Sequence, residues 1–413
     1  MKAAKVAFII ICVLIFNQGY SQSEQQIESQ LESDSTIQVK PDSTKQVDLP
    51  VLLRRLFKTE KKDTIRAEDQ KVLLSVLPAI GYAIQTGFTI DVISNNVFQL
   101  GDKENTNLSS VTFQLELSQH LQLSLPFNIV VWTPENEWNF VSDWRYYIYH
   151  QLNYGLGGST VRKDEILINY NYLRIHQIAY RRIANYTYLG LGYNLDYRTN
   201  IEQHEPEKMP VNDFTNFGDA STTTSSGITV NALFDKRKNL VSPKKGEHYM
   251  NVIYRNNHKK TGSSTDWTSL FIDLRTYFKP SKNSDNILAF WSYNQFVLSG
   301  TPSFFDLPST GWDAYTNFAR QYRQGRYVGK SLLYVESEYR FGISKNGFFN
   351  GAVFVNGHSV SEWPSNKFKH FIPGVGAGIR LKMNKESDLN LLVSYGIAAD
   401  GSRGFFFNLG EAF

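Results

Sequence analysis

Apolar and polar residues alternate with a period of two through most of the chain after residue 71, up to Phe413. Between Asp388 and Asp400, Leu389, Leu391, Val393, Tyr395 and Ile397 fall on one side, and Asp388, Asn390 and Ser394 on the other. A strand points successive side chains to opposite faces, so each such stretch reads as a strand with one greasy and one wet side. Turn residues separate the stretches, and no apolar run long enough for a membrane helix follows residue 20. This pattern predicts an antiparallel sheet closed into a transmembrane β-barrel.

The start of the chain predicts a destination. Lys2 and Lys5 precede an apolar run at 6–16 and then Gly19-Tyr20-Ser21, which together read as a secretory signal peptide over 1–21. Its apolar part is too short to cross a bilayer. The one cysteine, Cys12, lies inside it behind bulky Ile11, where a lipoprotein signal needs a small residue. The processed chain is therefore expected to carry neither a lipid anchor nor a disulfide. Residues 22–71 are dominated by Gln, Ser, Glu, Asp, Thr and Lys. Such a segment cannot offset its ordering entropy, so it is expected to be a largely disordered periplasmic stretch with no folded domain. Within it, 49–58 (LPVLLRRLFK) is either a short interfacial helix or a transient one with no role. The formal net charge of +4 falls by two once Lys2 and Lys5 are removed, which gives no reason to expect a nucleic-acid partner. Aromatics form 14% of the chain, enough for the girdles of a membrane barrel, although a soluble β-protein could match it.

Sixteen strands are predicted over 72–413. The first eight lie near 72–84, 87–98, 107–118, 121–132, 138–149, 164–175, 186–196 and 226–235. The second eight lie near 247–257, 266–279, 286–299, 330–342, 346–358, 370–383, 387–400 and 404–413. An even count returns both ends of the barrel to the periplasmic side. The long connections at 151–163, 197–225 and 300–329 then all follow odd-numbered strands, as outer loops should. Charges support a polar interior: Glu336, Glu338 and Arg340 share one face of the twelfth strand, and Asp273 and Arg275 one face of the tenth. Facing lipid, a Lys or Arg at mid-depth would cost roughly 2–4 kcal/mol.

Three local sequences resemble the BamA/TamA superfamily of outer-membrane barrels, also called the bacterial surface antigen family. In 227–246 (GITVNALFDKRKNLVSPKKG), Asp235, Arg237, Asn239, Pro243 and Gly246 match a strand followed by a periplasmic turn. The stretch 320–341 (RQYRQGRYVGKSLLYVESEYRF) is similar to the sixth outer loop and twelfth strand. The stretch 351–360 (GAVFVNGHSV) looks like the thirteenth strand and GFFFNLGEAF at 404–413 like a typical final strand, with Phe405, Phe407, Leu409 and Phe413 expected to form a lipid-facing assembly signal. The resemblance implies that the sixth outer loop folds back into the lumen. Its motif residues would be Arg320, Tyr322, Gly325, Arg326 and Tyr327, with Glu338 and Asn356 as lumen partners. Two positions depart from the family pattern: Gln321 stands for the tip glycine and Asn356 for a lumen aspartate. A third departure is the expected lack of the POTRA domains with which members of the family collect substrate.

The resemblance implies work on proteins or lipids at the outer membrane, with outer-membrane lipids and separate periplasmic or lipoprotein subunits as partners. A passive small-solute pore and a surface-exposed structural or adhesive barrel stay open as alternatives. Pro78 and Gly81 in the first strand weaken its pairing with the last, which suits either a seam that opens or a permanently closed one with an unpaired position. No enzyme and no cofactor is expected. The stretch 325–331 (GRYVGKS) is one residue short of a phosphate loop and leads into a strand, and His204-Glu205-Pro206-Glu207 lacks the second histidine of a zinc helix.

Overall fold

The computed structural model describes residues 72–413 apart from 84–85, 103, 205–216, 218–220, 238, 240–241, 282–284, 313–316 and 385–387. The expected signal peptide, the polar segment at 22–71 and the 49–58 piece lie outside the described residues.

Sixteen strands form one antiparallel sheet in which each strand pairs with its neighbours in sequence. They are β1 (Val72–Ala83), β2 (Gly87–Phe98), β3 (Ser109–Ser118), β4 (Leu123–Trp132), β5 (Trp138–Asn153), β6 (Ile166–Ala184), β7 (Thr187–Gln203) and β8 (Thr223–Asp235). The sheet continues with β9 (His248–Asn257), β10 (Trp267–Phe278), β11 (Ile287–Gly300), β12 (Ser331–Gly342), β13 (Phe349–Val360), β14 (Ile372–Asn384), β15 (Leu389–Ala398) and β16 (Arg403–Leu409). The strand count expected from alternation holds.

The burial pattern inverts that of a soluble sandwich. On β12, Glu336, Glu338 and Arg340 are buried while Val335 is 49% exposed. On β10, Asp273 is buried while Leu274 is exposed. On β8, Thr229 and Asn231 are buried while Ile228 and Val230 are exposed. A soluble sandwich would bury the apolar face, so the polar face must be the interior of the closed form and the apolar face must meet lipid.

Strand lengths depart from expectation in the middle of the chain. β6 runs to Ala184, well past 175, so it meets the start of β7 in a tight turn with Tyr186 at φ 59°, and at its other end β7 runs to Gln203, past 196. The sequence hid this because His176 and Gln177 put polar side chains on both faces. In the fold Gln177 faces outward and is satisfied by the wall itself: Ser142 Oγ donates to Gln177 Oε1 at 2.6 Å and Gln177 Nε2 donates to the Val141 carbonyl at 3.2 Å. The long connections still follow β5, β7 and β11. However, 236–247 after β8 matches 154–165 in length, so length separates the two ends less cleanly than the sequence suggested.

β1 and β16 approach within 8 Å at their Cα atoms, and no ladder joins them among the described residues. Pro78 stands opposite Val92 and Gly81 opposite Thr89 in the β1–β2 register.

Phe413 corrects one expectation. Phe405 and Phe407 are exposed on the outward face of β16, as the alternation requires, but Phe413 is buried. Its ring lies 5.1 Å from Trp291 and 6.4 Å from Tyr277, both stacked and both on the inward face. The reason is local. β16 ends at Leu409, and Gly410 takes φ 93°, a left-handed conformation that L side chains resist. The period of two stops there, and the last residues turn into the interior.

Candidate functional site in the lumen

The inward faces of β12, β13 and β14 bring together a cluster of buried charges. Period two puts Glu336 and Glu338 of β12 on the same face as Arg340, and the β12–β13–β14 register sets Phe354 beside Glu338 and Gly376 beyond it. Arg320, from the connection between β11 and β12, reaches into this cluster. Its guanidinium donates to Glu338 Oε2 at 2.9 Å and also to Glu336, and it lies 4.1 Å from the Phe354 ring centroid. Glu338 also accepts from Arg340 at 2.7 Å and from Arg380 at 2.6 Å. Arg380 donates again to Glu411 at 2.7 Å. Three guanidiniums and three carboxylates thus share one buried cluster. Such groups are tolerable in an interior only when paired.

The two departures from the family pattern meet each other. Gln321 Nε2 donates to Asn356 Oδ1 at 2.6 Å, and Asn356 Nδ2 donates back to Gln321 Oε1 at 3.1 Å. Asn356 Nδ2 also donates to Glu336 at 3.0 Å. A reciprocal amide pair stands where the family pattern has glycine and aspartate. Neither alone was legible as a compensation for the other.

The rest of the connection at 301–330 is tied along the inward wall. The Phe318 ring stacks on Tyr293 at 4.7 Å and meets Tyr334 at 5.3 Å, while Asn317 Nδ2 donates to the Ala412 carbonyl at 2.9 Å. Toward the other side, Arg198 of β7 donates to Asp306 at 2.7 Å, and Tyr149 of β5 donates to Gln324 at 2.7 Å. Arg326 donates to Thr160 Oγ1 at 2.8 Å and to its carbonyl at 2.9 Å, linking this connection to the one after β5. Tyr327 donates to Asp400 at 2.7 Å, and the rings of Tyr322 and Tyr327 flank His358 at 4.7 and 5.0 Å. Gly325 turns the chain at φ 78°, beside Gln151 and Leu152 of β5. Asp400 lies in the turn between β15 and β16. Burial alone would raise its carboxyl, but the Tyr327 hydroxyl, Ser402 and Arg326 hold it below the ordinary carboxylate range.

Sequence reading singled out Arg320 and Glu338 but not Arg380, which falls on an inward position of β14, or Glu411, which lies beyond the end of β16 where the alternation no longer applies. It also missed Arg198 and Asp306, whose sequence separation leaves no local signal.

The other expected sites sit apart from this cluster. In the turn after β8, Arg237 makes a fork to both Asp235 oxygens at 2.9 and 2.8 Å and lies 4.1 Å from the Tyr249 ring. Asn239 accepts from the Ser242 backbone at 3.0 Å, Pro243 is buried, and Gly246, at φ 77°, donates to the Tyr277 carbonyl at 2.9 Å. These bonds fix the shape of the turn. Ser331 of the near-miss phosphate loop opens β12, so no helix N-terminus is there to hold an anion. His204 contacts the Asn169 amide at 2.5 Å.

One antiparallel sheet with charges inside and apolar side chains outside defines a β-barrel of the transmembrane type. The fold is similar to that of BamA from Haemophilus ducreyi lacking POTRA domains 1–3, with a TM-score of 0.54 and 12% identity over 88% of this chain and 82% of that one. It is also similar to CdiB from Escherichia coli, with a TM-score of 0.55 and 10% identity over 83% of this chain and 62% of that one. The chain therefore spans less than two thirds of CdiB. No protein-family model matches the sequence, and no curated protein does. At these identities the likeness is one of fold, and the fold is that of a BamA-like barrel.

Proposed function

We propose that this chain is an integral outer-membrane barrel that helps to insert or move proteins or lipids at the outer membrane, with its N-terminal segment in the periplasm. One observation carries the reading. The described residues of the connection at 301–330 are anchored by Arg320, Phe318, Gln321, Asp306 and Tyr327 to inward residues of β7, β11, β12 and β13 and to the β15–β16 turn, which supports a lumen occupied by buried, paired side chains. A lumen filled in this way favours work at the barrel wall over passage through its middle. The wall offers a place for it where β1 and β16 meet. Pro78 cannot donate a backbone hydrogen bond, and β16 is only seven residues long. Separate periplasmic or lipoprotein subunits would collect the client, and the chain itself does no catalysis and holds no cofactor.

A passive pore is the main competing reading, and single-channel recording of the purified protein in planar bilayers separates the two. The plugged barrel predicts no steady open level, whereas a steady open conductance in the wild type would favour the pore. Affinity purification from native outer membranes should recover periplasmic or lipoprotein subunits. Recovery of the barrel alone, with adhesion lost on its deletion, would favour a structural or adhesive role.

A further inference from the structure

The outward row of β11 is Leu288, Phe290, Ser292, Asn294, Phe296 and Leu298. Phe290 and Leu298 are exposed, while the alternate residues Trp291 and Tyr293 are buried. Two polar residues therefore stand at the centre of this row, with two apolar residues on either side. In register, Ser292 lies between Leu274 of β10 and Val335 of β12, and Asn294 between Ile272 and Leu333. On a strand that crosses a bilayer this is the middle of the hydrocarbon. Asn294 Nδ2 donates to Ser292 Oγ at 2.8 Å, and that is the only hydrogen bond of either side chain among the described residues. A carboxamide oxygen facing hydrocarbon without a donor is costly. The comparable outward pair, Ser142 and Gln177, has no such deficit, because Gln177 is also bonded to the backbone.

We propose that this face is an interface between two copies of the chain within the membrane. The proposal rests on the outer-membrane reading above. With the bond inside each copy intact, Asn294 still has its Oδ1 acceptor and Ser292 still has its hydroxyl proton. One donor and one acceptor, side by side, are matched by their own image across a two-fold axis. The Ser292 hydroxyl of each copy donates to Asn294 Oδ1 of the other. Small side chains help: Ser292 and Ser337 stand in register among exposed Leu274, Phe290, Leu333 and Val335, and small residues let two walls approach closely.

The test uses the full chain in a Cys12→Ser background, with Val335→Cys beside Ser292 or Val230→Cys on the distant β8. Outer membranes are isolated and oxidised, and the products are read on a non-reducing gel. The expected result is a disulfide-linked dimer with Val335→Cys, several-fold more abundant than with Val230→Cys. Adding Asn294→Leu should reduce that dimer several-fold while the heat-modifiable monomer persists. Equal cross-linking at the two positions, a dimer untouched by Asn294→Leu, or a linked band of another mass would overturn the proposal. If the parent chain gives no heat-modifiable species, the outer-membrane reading fails first and this interface falls with it.

Discussion

Replacing Glu338 by alanine should be the most damaging single change in the lumen. Its carboxylate accepts from Arg320, Arg340 and Arg380, and its side chain is fully buried. Removing one member of a buried ion pair typically costs about 3–5 kcal/mol, because it strands the opposite charge. Here three guanidiniums lose a partner, although Glu411 remains beside Arg340 and Arg380 at 3.4 and 2.7 Å. We therefore expect a loss of about 4–5 kcal/mol for Glu338→Ala. Arg320→Ala should cost less, about 3 kcal/mol, since Glu338 keeps two arginines and Glu336 keeps Asn356. The double variant no longer strands Arg320, so the two losses should fall short of additivity by about 2 kcal/mol. The assay is the denaturant dependence of protease nicking within 301–330 in membrane-embedded protein, fitted as local opening. Additivity within about 0.5 kcal/mol would refute the contact.

Further outcomes follow from the same geometry. Phe413→Ala should destabilise the folded barrel by about 3–5 kcal/mol, because the ring is buried on Trp291 and Tyr277, whereas Phe405→Ala on the exposed face should cost clearly less. Urea titration of the heat-modifiable form measures both. Gly325→Ala should loosen the connection by at least about 1–2 kcal/mol, since its left-handed backbone penalises any Cβ, with a matching rise in nicking. Acid should loosen it as well. The Asp400 carboxyl is held below its ordinary value, so its contribution is complete above about pH 4 and is lost as pH falls through the folded value. Nicking near Tyr327 should therefore rise only below about pH 4, and Asp400→Asn should remove that dependence.

Much of this fold was legible because one physical rule, period two with one face in lipid, acts at every strand. The rule failed where a polar side chain faced outward. Gln177 broke the alternation and hid nearly half of β6, because a single sequence cannot show that Ser142 would satisfy it. It failed again at Phe413, where the positive φ of Gly410 ends the strand before the alternation runs out. In the lumen, alternation placed Glu338 on the inward face, but Arg320 and its pairing with Glu338 were found through a resemblance rather than through spacing. Arg380 sat on an inward position and Glu411 past the last strand, and nothing local says that both join the cluster around Glu338. Contacts such as Arg198 with Asp306 depend on where a long connection lies in space.

The proposed work at the barrel wall is tested most directly by locking the seam. Single cysteines scanned along β1 and β16 in the Cys12→Ser background identify a pair that forms a disulfide in the outer membrane. Cells relying on that pair are then compared with and without reductant. The account predicts that the oxidised barrel folds and remains heat-modifiable, yet leaves the outer membrane depleted of the proteins or lipids it handles, and that reductant restores them. An unchanged outer-membrane composition with the seam fully oxidised would contradict it.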